Sequence, residues 1–249
     1  EKPISCIKNS VPIKATGTAR AGINVDLKSC KKIKMLHQKD FKYNGTPIEQ
    51  AKKALIMVHG RGGFAEDILA VADHLQVDDF ALVAPQAYNN SWYPLSFMAP
   101  VEQNQPWLDS AIEMLQLLEK ELNVKGIASK DIYFFGFSQG ACLTLEYVTR
   151  NAKKYGGVIA IIGGLIGKQI NRGNYITDFE DTKIYLGTSD PDAHVPVERV
   201  EQTAAILENK NAEVELQIHK DGGHAVLPAE LGMANNFIFG YSGEINRKP

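Results

Sequence analysis

Residues 132–151 read IYFFGFSQGACLTLEYVTRN. An apolar run of strand length ends in Gly136-Phe137-Ser138-Gln139-Gly140, and a segment with apolar residues at helical spacing follows at once. A Gly-x-Ser-x-Gly pentapeptide in that context places its serine on a sharp, strained strand-to-helix turn that lifts Oγ above the end of a sheet. The flanking glycines are required because strand and helix backbones approach closely there, and the helix N-terminus aims N–H groups at the reacting centre. Taken alone the pentapeptide is also compatible with an ordinary tight turn. Its position between IYFF and a helix makes Ser138 the candidate nucleophile.

Outward from this elbow the chain from Ala54 repeats one pattern. Apolar runs at 54–59, 80–85, 132–137, 157–162, 183–188 and 214–219 alternate with helical segments at 65–75, 106–122, 140–151, 197–209 and 228–239. The runs are unbroken rather than alternating, as expected of strands covered on both faces. Short strands separated by crossover helices predict an α/β fold, a doubly wound and mostly parallel sheet with helices on both faces. Three helices begin near Pro106, Pro196 and Pro228, where a missing N–H is harmless. The first fifty residues have little periodicity. They are expected to form an N-terminal extension (1–50) with edge strands at 11–17 and 23–30 and a hairpin around Asn44-Gly45, ahead of a catalytic domain at 51–249.

A serine at such an elbow takes its partners in the chain order Ser, acid, His. Both slots are filled. KIYLGT is followed by Ser189-Asp190-Pro191-Asp192-Ala193-His194-Val195-Pro196, and VELQIH by Lys220-Asp221-Gly222-Gly223-His224. The glycines before His224 let its imidazole reach the serine, and an imidazole can take up and return a proton as a general base. His37, His74 and His219 read as structural or surface residues, and His194 adjoins the acid loop too closely. Asp190 and Asp192 compete as the acid that orients the base. Asp190 precedes a proline and fits a turn, so Asp192 is favoured.

The first strong strand ends in His59-Gly60-Arg61-Gly62-Gly63. A turn of this type supplies one backbone N–H to an oxyanion hole, and the residue after the nucleophile supplies the other. The donors are then the N–H groups of Arg61 and Gln139. A nucleotide-binding loop is the competing interpretation of the glycines, but neither phosphate-loop pattern is present. In the aromatic stretch PQAYNNSWYPLSFMAP, Trp92, Tyr93 and Phe97 either line a substrate pocket or pack the loop onto the core. About twenty residues separate Ile162 from Lys183, too few for a lid domain, which implies an open, shallow site.

Formal net charge is −2, so no long-range field recruits nucleic acid or an anionic membrane. No apolar run reaches the length of a membrane span. The start, EKPISCIKNSVPIK, lacks the apolar core of a signal peptide, and a cytoplasmic location is expected. Cys6, Cys30 and Cys142 form no CxxC pair, so no metal is expected. Cys142 reads as a core residue, while Cys6 and Cys30 could pair or stay free.

Together, VHGRGG, SWYPLSF, GFSQGA, Asp192-Ala193-His194-Val195-Pro196 and GGH resemble the phospholipase/carboxylesterase family of α/β-hydrolases, which includes acyl-protein thioesterases. The similarity runs from about Ala54 to Phe239. The family places its acid in a D-x-x-V-P segment, which strengthens Asp192 over Asp190; its usual proline after the acid is Ala193 here. The resemblance implies a cofactor-free serine hydrolase acting on small ester or thioester substrates, often cytosolic and in some members a homodimer. A carboxylesterase for short to medium acyl chains is the leading expectation. An acyl-protein thioesterase or lysophospholipase would share every residue named, and a non-catalytic binding protein could use the same fold.

Overall fold

The computed structural model describes residues 36–240. Its centre is a seven-stranded sheet in the order β1-β3-β2-β4-β5-β6-β7. The strands are β1 (Phe41–Gly45), β2 (Lys53–Val58), β3 (Phe80–Pro85), β4 (Ile132–Phe137), β5 (Gly157–Ile161), β6 (Thr182–Asp190) and β7 (Ala212–Lys220). All pairings are parallel except β1 with β3. Four helices connect them, α1 (Ala65–Ala70), α2 (Trp107–Val124), α3 (Gln139–Arg150) and α4 (Val197–Glu208), and a fifth, α5 (Pro228–Phe239), follows β7. The fold is the doubly wound, mostly parallel sheet predicted from the alternation of runs, of the α/β-hydrolase type that the resemblance implies.

Helices cover both faces, as strand parity demonstrates. Gly136 of β4 lies against Ala141 and Thr144 of α3, whereas Gly157, the cross-strand partner of Tyr133, meets Ile238 of α5. Tyr133 and Gly136 are three apart on one strand and point to opposite faces. The central strands are buried throughout, so their sequences could stay apolar without alternation. The exception is β7. As an edge strand it is half-buried, with Ile218 42 % exposed, so the expectation that every run is covered on both faces does not hold there.

One expectation for the start of the chain is corrected. Asn44-Gly45 does not turn a hairpin, because a hairpin would join β1 to β2 and β3 lies between them. Instead β1 runs antiparallel to β3, Phe41 opposite Pro85 and Gly45 opposite Ala81. Residues ahead of the boundary expected at residue 50 supply an edge strand to the same sheet. β1 belongs to the central sheet, and buried His37 donates from Nε2 to the Trp92 carbonyl (2.9 Å) while its Nδ1 accepts from the Tyr88 N–H (3.1 Å). The edge strands expected at 11–17 and 23–30, together with Cys6 and Cys30, lie outside the described residues. Cys142 is buried, and burial pushes its thiol up to about 12. Between β5 and β6 the chain forms one short 3₁₀ turn (Arg172–Asn174) and no lid domain.

Candidate active site

The sheet delivers three loops to one end, after β4, β6 and β7. Ser138 stands between β4 and α3 with φ 53° and ψ −118°, a conformation that costs a non-glycine residue about 1–3 kcal/mol. Its own backbone holds it there: the Ser138 N–H donates to the Ile161 carbonyl at 2.9 Å, and its carbonyl accepts the first helical bond from Cys142 at 3.0 Å. The glycines are required sterically. A Cβ on Gly136 would lie 2.6 Å from the Gly140 carbonyl oxygen, and one on Gly140 would lie 2.1 Å from that of Val58.

His224 follows β7 at the end of a turn that needs both its glycines, for different reasons. Gly223 has φ +72°, in the left-handed region. Gly222 is confined by neighbours, since a Cβ there would lie 2.6 Å from Ser189 Oγ. From this turn His224 Nε2 comes to 2.8 Å from Ser138 Oγ, and Nδ1 to 2.8 Å from Asp192 Oδ2. An ionised carboxylate can only accept, so Nδ1 carries the proton and Nε2 presents its lone pair to the serine hydroxyl. The ring is flanked by Phe137 (5.5 Å between centroids) and edge-on by His194 (5.0 Å).

Asp192 terminates the β6 loop with its side chain fully covered. Burial acts to raise its pKa. The His194 N–H (2.8 Å), the His224 ring and the Val195 N–H (2.9 Å) act the other way and hold the carboxyl below its ordinary value. Asp190 is exposed and makes no bond to His224. The structure therefore brings together Ser138, His224 and Asp192.

Arg61 and Gln139 flank the serine from the β2 loop and the first turn of α3. Among the described residues neither backbone N–H has a protein acceptor, although the Gly62 N–H is spent on the Asn90 carbonyl (2.7 Å) and that of Gly63 on Gly60 (3.1 Å). Their side chains do work the sequence did not disclose. Gln139 Oε1 accepts from the Trp92 N–H (3.0 Å), and its Nε2 donates to the Tyr93 carbonyl (2.8 Å). The Arg61 guanidinium donates to Ser91 Oγ, the Pro94 carbonyl and the Leu95 carbonyl (3.0, 2.9 and 2.7 Å). Both residues clamp the 91–95 loop, and the only local hint was that loop's density of aromatics and prolines.

That clamp decides the fate of the aromatic candidates. Trp92, Tyr93 and Phe97, expected either to line a substrate pocket or to pack the loop onto the core, are 0 %, 1 % and 6 % exposed and belong to the core cluster. Trp92 Nε1 donates to the His59 carbonyl (2.8 Å), and its ring lies 4.9 Å from that of His59. His59 itself is buried, which lowers its pKa; Nδ1–H donates to the Gly60 carbonyl (2.7 Å) and Nε2 accepts from the Ala87 N–H (3.1 Å). It is a neutral structural histidine beneath the turn that carries Arg61.

The setting is open. His224 keeps 28 % of its side chain exposed, and the two prominent cavities, about 500 Å³ between β1 and α2 and about 290 Å³ beside α4, contain no residue of the Ser-His-Asp group. Among the described residues no group of three or more His, Cys, Asp or Glu side chains is arranged to hold a metal ion, and no helix is long and apolar enough to cross a membrane.

Comparison with known proteins places this geometry in context. The model of the family described as Phospholipase/Carboxylesterase matches residues 45–241. The crystal structure of a phospholipase/carboxylesterase from Dyadobacter fermentans is 51 % identical, with a TM-score of 0.81 over 82 % of this chain and 97 % of that one. Acyl-protein thioesterase 1 of Saccharomyces cerevisiae is 25 % identical over 77 % of this chain and 93 % of its own length. The Bacillus cereus carboxylesterase, 16 % identical with a TM-score of 0.68 over 81 % of this chain and 94 % of that one, shares the fold.

Proposed function

Because this chain belongs to the phospholipase/carboxylesterase family of esterases and thioesterases, we propose that it is a serine carboxylesterase that cleaves small esters of short to medium acyl chains through an acyl-enzyme. The observation that carries this reading is the pair of 2.8 Å contacts linking Ser138 Oγ to His224 Nε2 and His224 Nδ1 to Asp192 Oδ2.

The reaction follows from that chain of contacts. His224 Nε2 takes the hydroxyl proton as Ser138 Oγ bonds to the ester carbonyl carbon, and Asp192 stabilises the imidazolium. The carbonyl π electrons move onto oxygen, where the N–H groups of Arg61 and Gln139 are the available donors. Each such donor is worth about 3 kcal/mol in transition-state stabilisation. The oxyanion collapses, the C–O bond to the alcohol breaks, and His224 returns the proton to the leaving oxygen. Water then repeats the sequence on the acyl-enzyme, releasing the acid and restoring Ser138. No step calls on a cofactor.

A second reading, acyl-protein thioesterase, is favoured by the open setting of His224, which a polypeptide-borne thioester could approach, and by the similarity to the yeast protein. The same residues would cleave a C–S bond. Hydrolysis of p-nitrophenyl esters and of matched thioesters across a chain-length series separates the two by their kcat/KM ratio. Both readings require that Ser138→Ala abolish turnover and that a fluorophosphonate label Ser138. Equal rates for wild type and variant would end both.

A further inference from the structure

A second group of polar side chains lies beneath the loops that carry Asp192 and His224. Glu230, in the first turn of α5, is 0 % exposed. Its Oε2 accepts the Leu227 N–H at 2.9 Å, while Oε1 has no hydrogen-bond partner among the described residues and faces His219 Nε2 of β7 at 3.9 Å. That His219 nitrogen is likewise unpartnered among the described residues, as is Ser189 Oγ. Ser189 and His219 are cross-strand partners, and Gly187 and Gln217 form the pair two positions earlier on the same face. Two glycines make room for the group. A Cβ on Gly187 would lie 2.4 Å from Glu230 Oε1, and one on Gly222 would lie 2.6 Å from Ser189 Oγ and 3.2 Å from His219 Cβ.

Isolated buried carboxylates and unpaired ring nitrogens are costly, so such neighbours are stable when they share a proton. Burial pushes the Glu230 carboxyl up to about 7, against the lowering effect of the Leu227 N–H. The other titratable group facing it is Tyr185 of β6, whose phenol donates to Gln217 Oε1 (2.7 Å); β5 contributes no charged residue.

We propose that Glu230 and His219 hold a single proton between them, and that this protonated pair positions the 220–227 turn, making both of them positioning residues for His224. With the proton present, Glu230 bonds the Leu227 N–H through one oxygen and turns the other, uncharged, toward His219 Nε2 at 3.9 Å, so that α5 packs on β7 at both ends of the turn. Without it, an uncompensated negative charge is buried between α5 and β7, which opposes the packing that holds the turn. The consequence for the reaction rests on the reading of Ser138, His224 and Asp192 as the catalytic group; the proton itself does not.

The test is kcat and KM for a p-nitrophenyl ester between about pH 5.5 and 9.5 in wild type, Glu230→Gln and Glu230→Leu. Wild type gives a bell, kcat falling on the alkaline side as the pair deprotonates. Glu230→Gln, whose amide mimics the protonated acid, keeps the ascending limb and loses the fall. Glu230→Leu lowers kcat about ten-fold at every pH, with KM within about two-fold. Profiles of wild type and Glu230→Gln that superimpose overturn the proposal, even if Glu230→Leu fails to fold. In a Ser138→Ala background, ¹⁵N shifts of the His219 ring report the same proton without turnover. They should titrate differently once Glu230→Gln is added, and an unchanged titration overturns the shared proton independently of any result on catalysis.

Discussion

Gly140 stands so close to Val58 that a Cβ on it would lie 2.1 Å from the Val58 carbonyl oxygen and 2.5 Å from that of His59. Both obstacles are backbone atoms of β2 and its turn, so they cannot move aside cheaply. Gly140→Ala must push α3 away from β2, and overpacking of this kind costs about 3 kcal/mol. The same displacement separates the Gln139 N–H from the Arg61 N–H. Urea unfolding should show the lost stability, and esterase activity should fall with it. A variant of wild-type stability would show that the two backbones are not in contact.

Asp192→Asn keeps a side-chain oxygen for the His194 and Val195 N–H groups but offers His224 Nδ1 a donor. The imidazole must then turn its lone pair toward residue 192, which disables it as a base for Ser138. An expected loss in kcat of about 10⁴-fold, with KM little changed, is the measure. A loss below about ten-fold would remove Asp192 from the catalytic group.

Gln139→Ala leaves the backbone N–H in place while stranding the buried Trp92 N–H; the Tyr93 carbonyl keeps the Ser91 hydroxyl as donor (3.0 Å). An unpaired buried N–H costs about 1–3 kcal/mol, so destabilisation of about 2 kcal/mol is expected by thermal or chemical denaturation. Oxyanion stabilisation by the N–H of residue 139 should survive. The kcat should therefore fall far less than in Ser138→Ala, and a comparable fall would mean the side chain itself acts in the reaction.

Two carboxyl groups should tilt stability in opposite directions at different pH. Asp192 is held below its ordinary 3.8, so its stabilisation is present above that value and is lost as pH falls through the folded pKa. Glu230 is raised from 4.5 to about 7, so its contribution is present below 4.5 and is lost as pH rises to about 7. That loss is on the order of 3 kcal/mol. Unfolding free energies measured across both windows should fall at each end, and Glu230→Gln should flatten only the upper slope. A slope between pH 4.5 and 7 that persists in this variant would assign it to another group.

Much of this molecule is legible along the chain. IYFF before GFSQG and a helical spacing after it specify the elbow, and Ser138 adopts the strained backbone expected of it. Asp192 and His224, the proposed acid and base, sit after β6 and β7, where a chain order of Ser, acid and His requires them. Between neighbours in one loop, the sequence favours Asp192 over Asp190 by the proline after Asp190 and by the D-x-x-V-P segment. Only the folded position of His224, 2.8 Å from Asp192 Oδ2, distinguishes them by contact.

What the sequence determined by itself is whatever depends on neighbours along the chain: strand and helix spacing, the glycines of the elbow, and the loops at which chemistry-bearing residues occur. The tertiary structure decided the rest. Trp92 could have faced substrate or core, and it is the Gln139 side chain, 47 residues away, that turns the loop inward. Glu230 reads as a first-turn helix acid, yet Gly187 and His219 enclose it. The β1 strand finds β3 rather than its neighbour in sequence. Each of these rests on contacts between segments far apart in the chain, and such contacts leave no local periodicity to read, because they exist only once packing has brought the segments together.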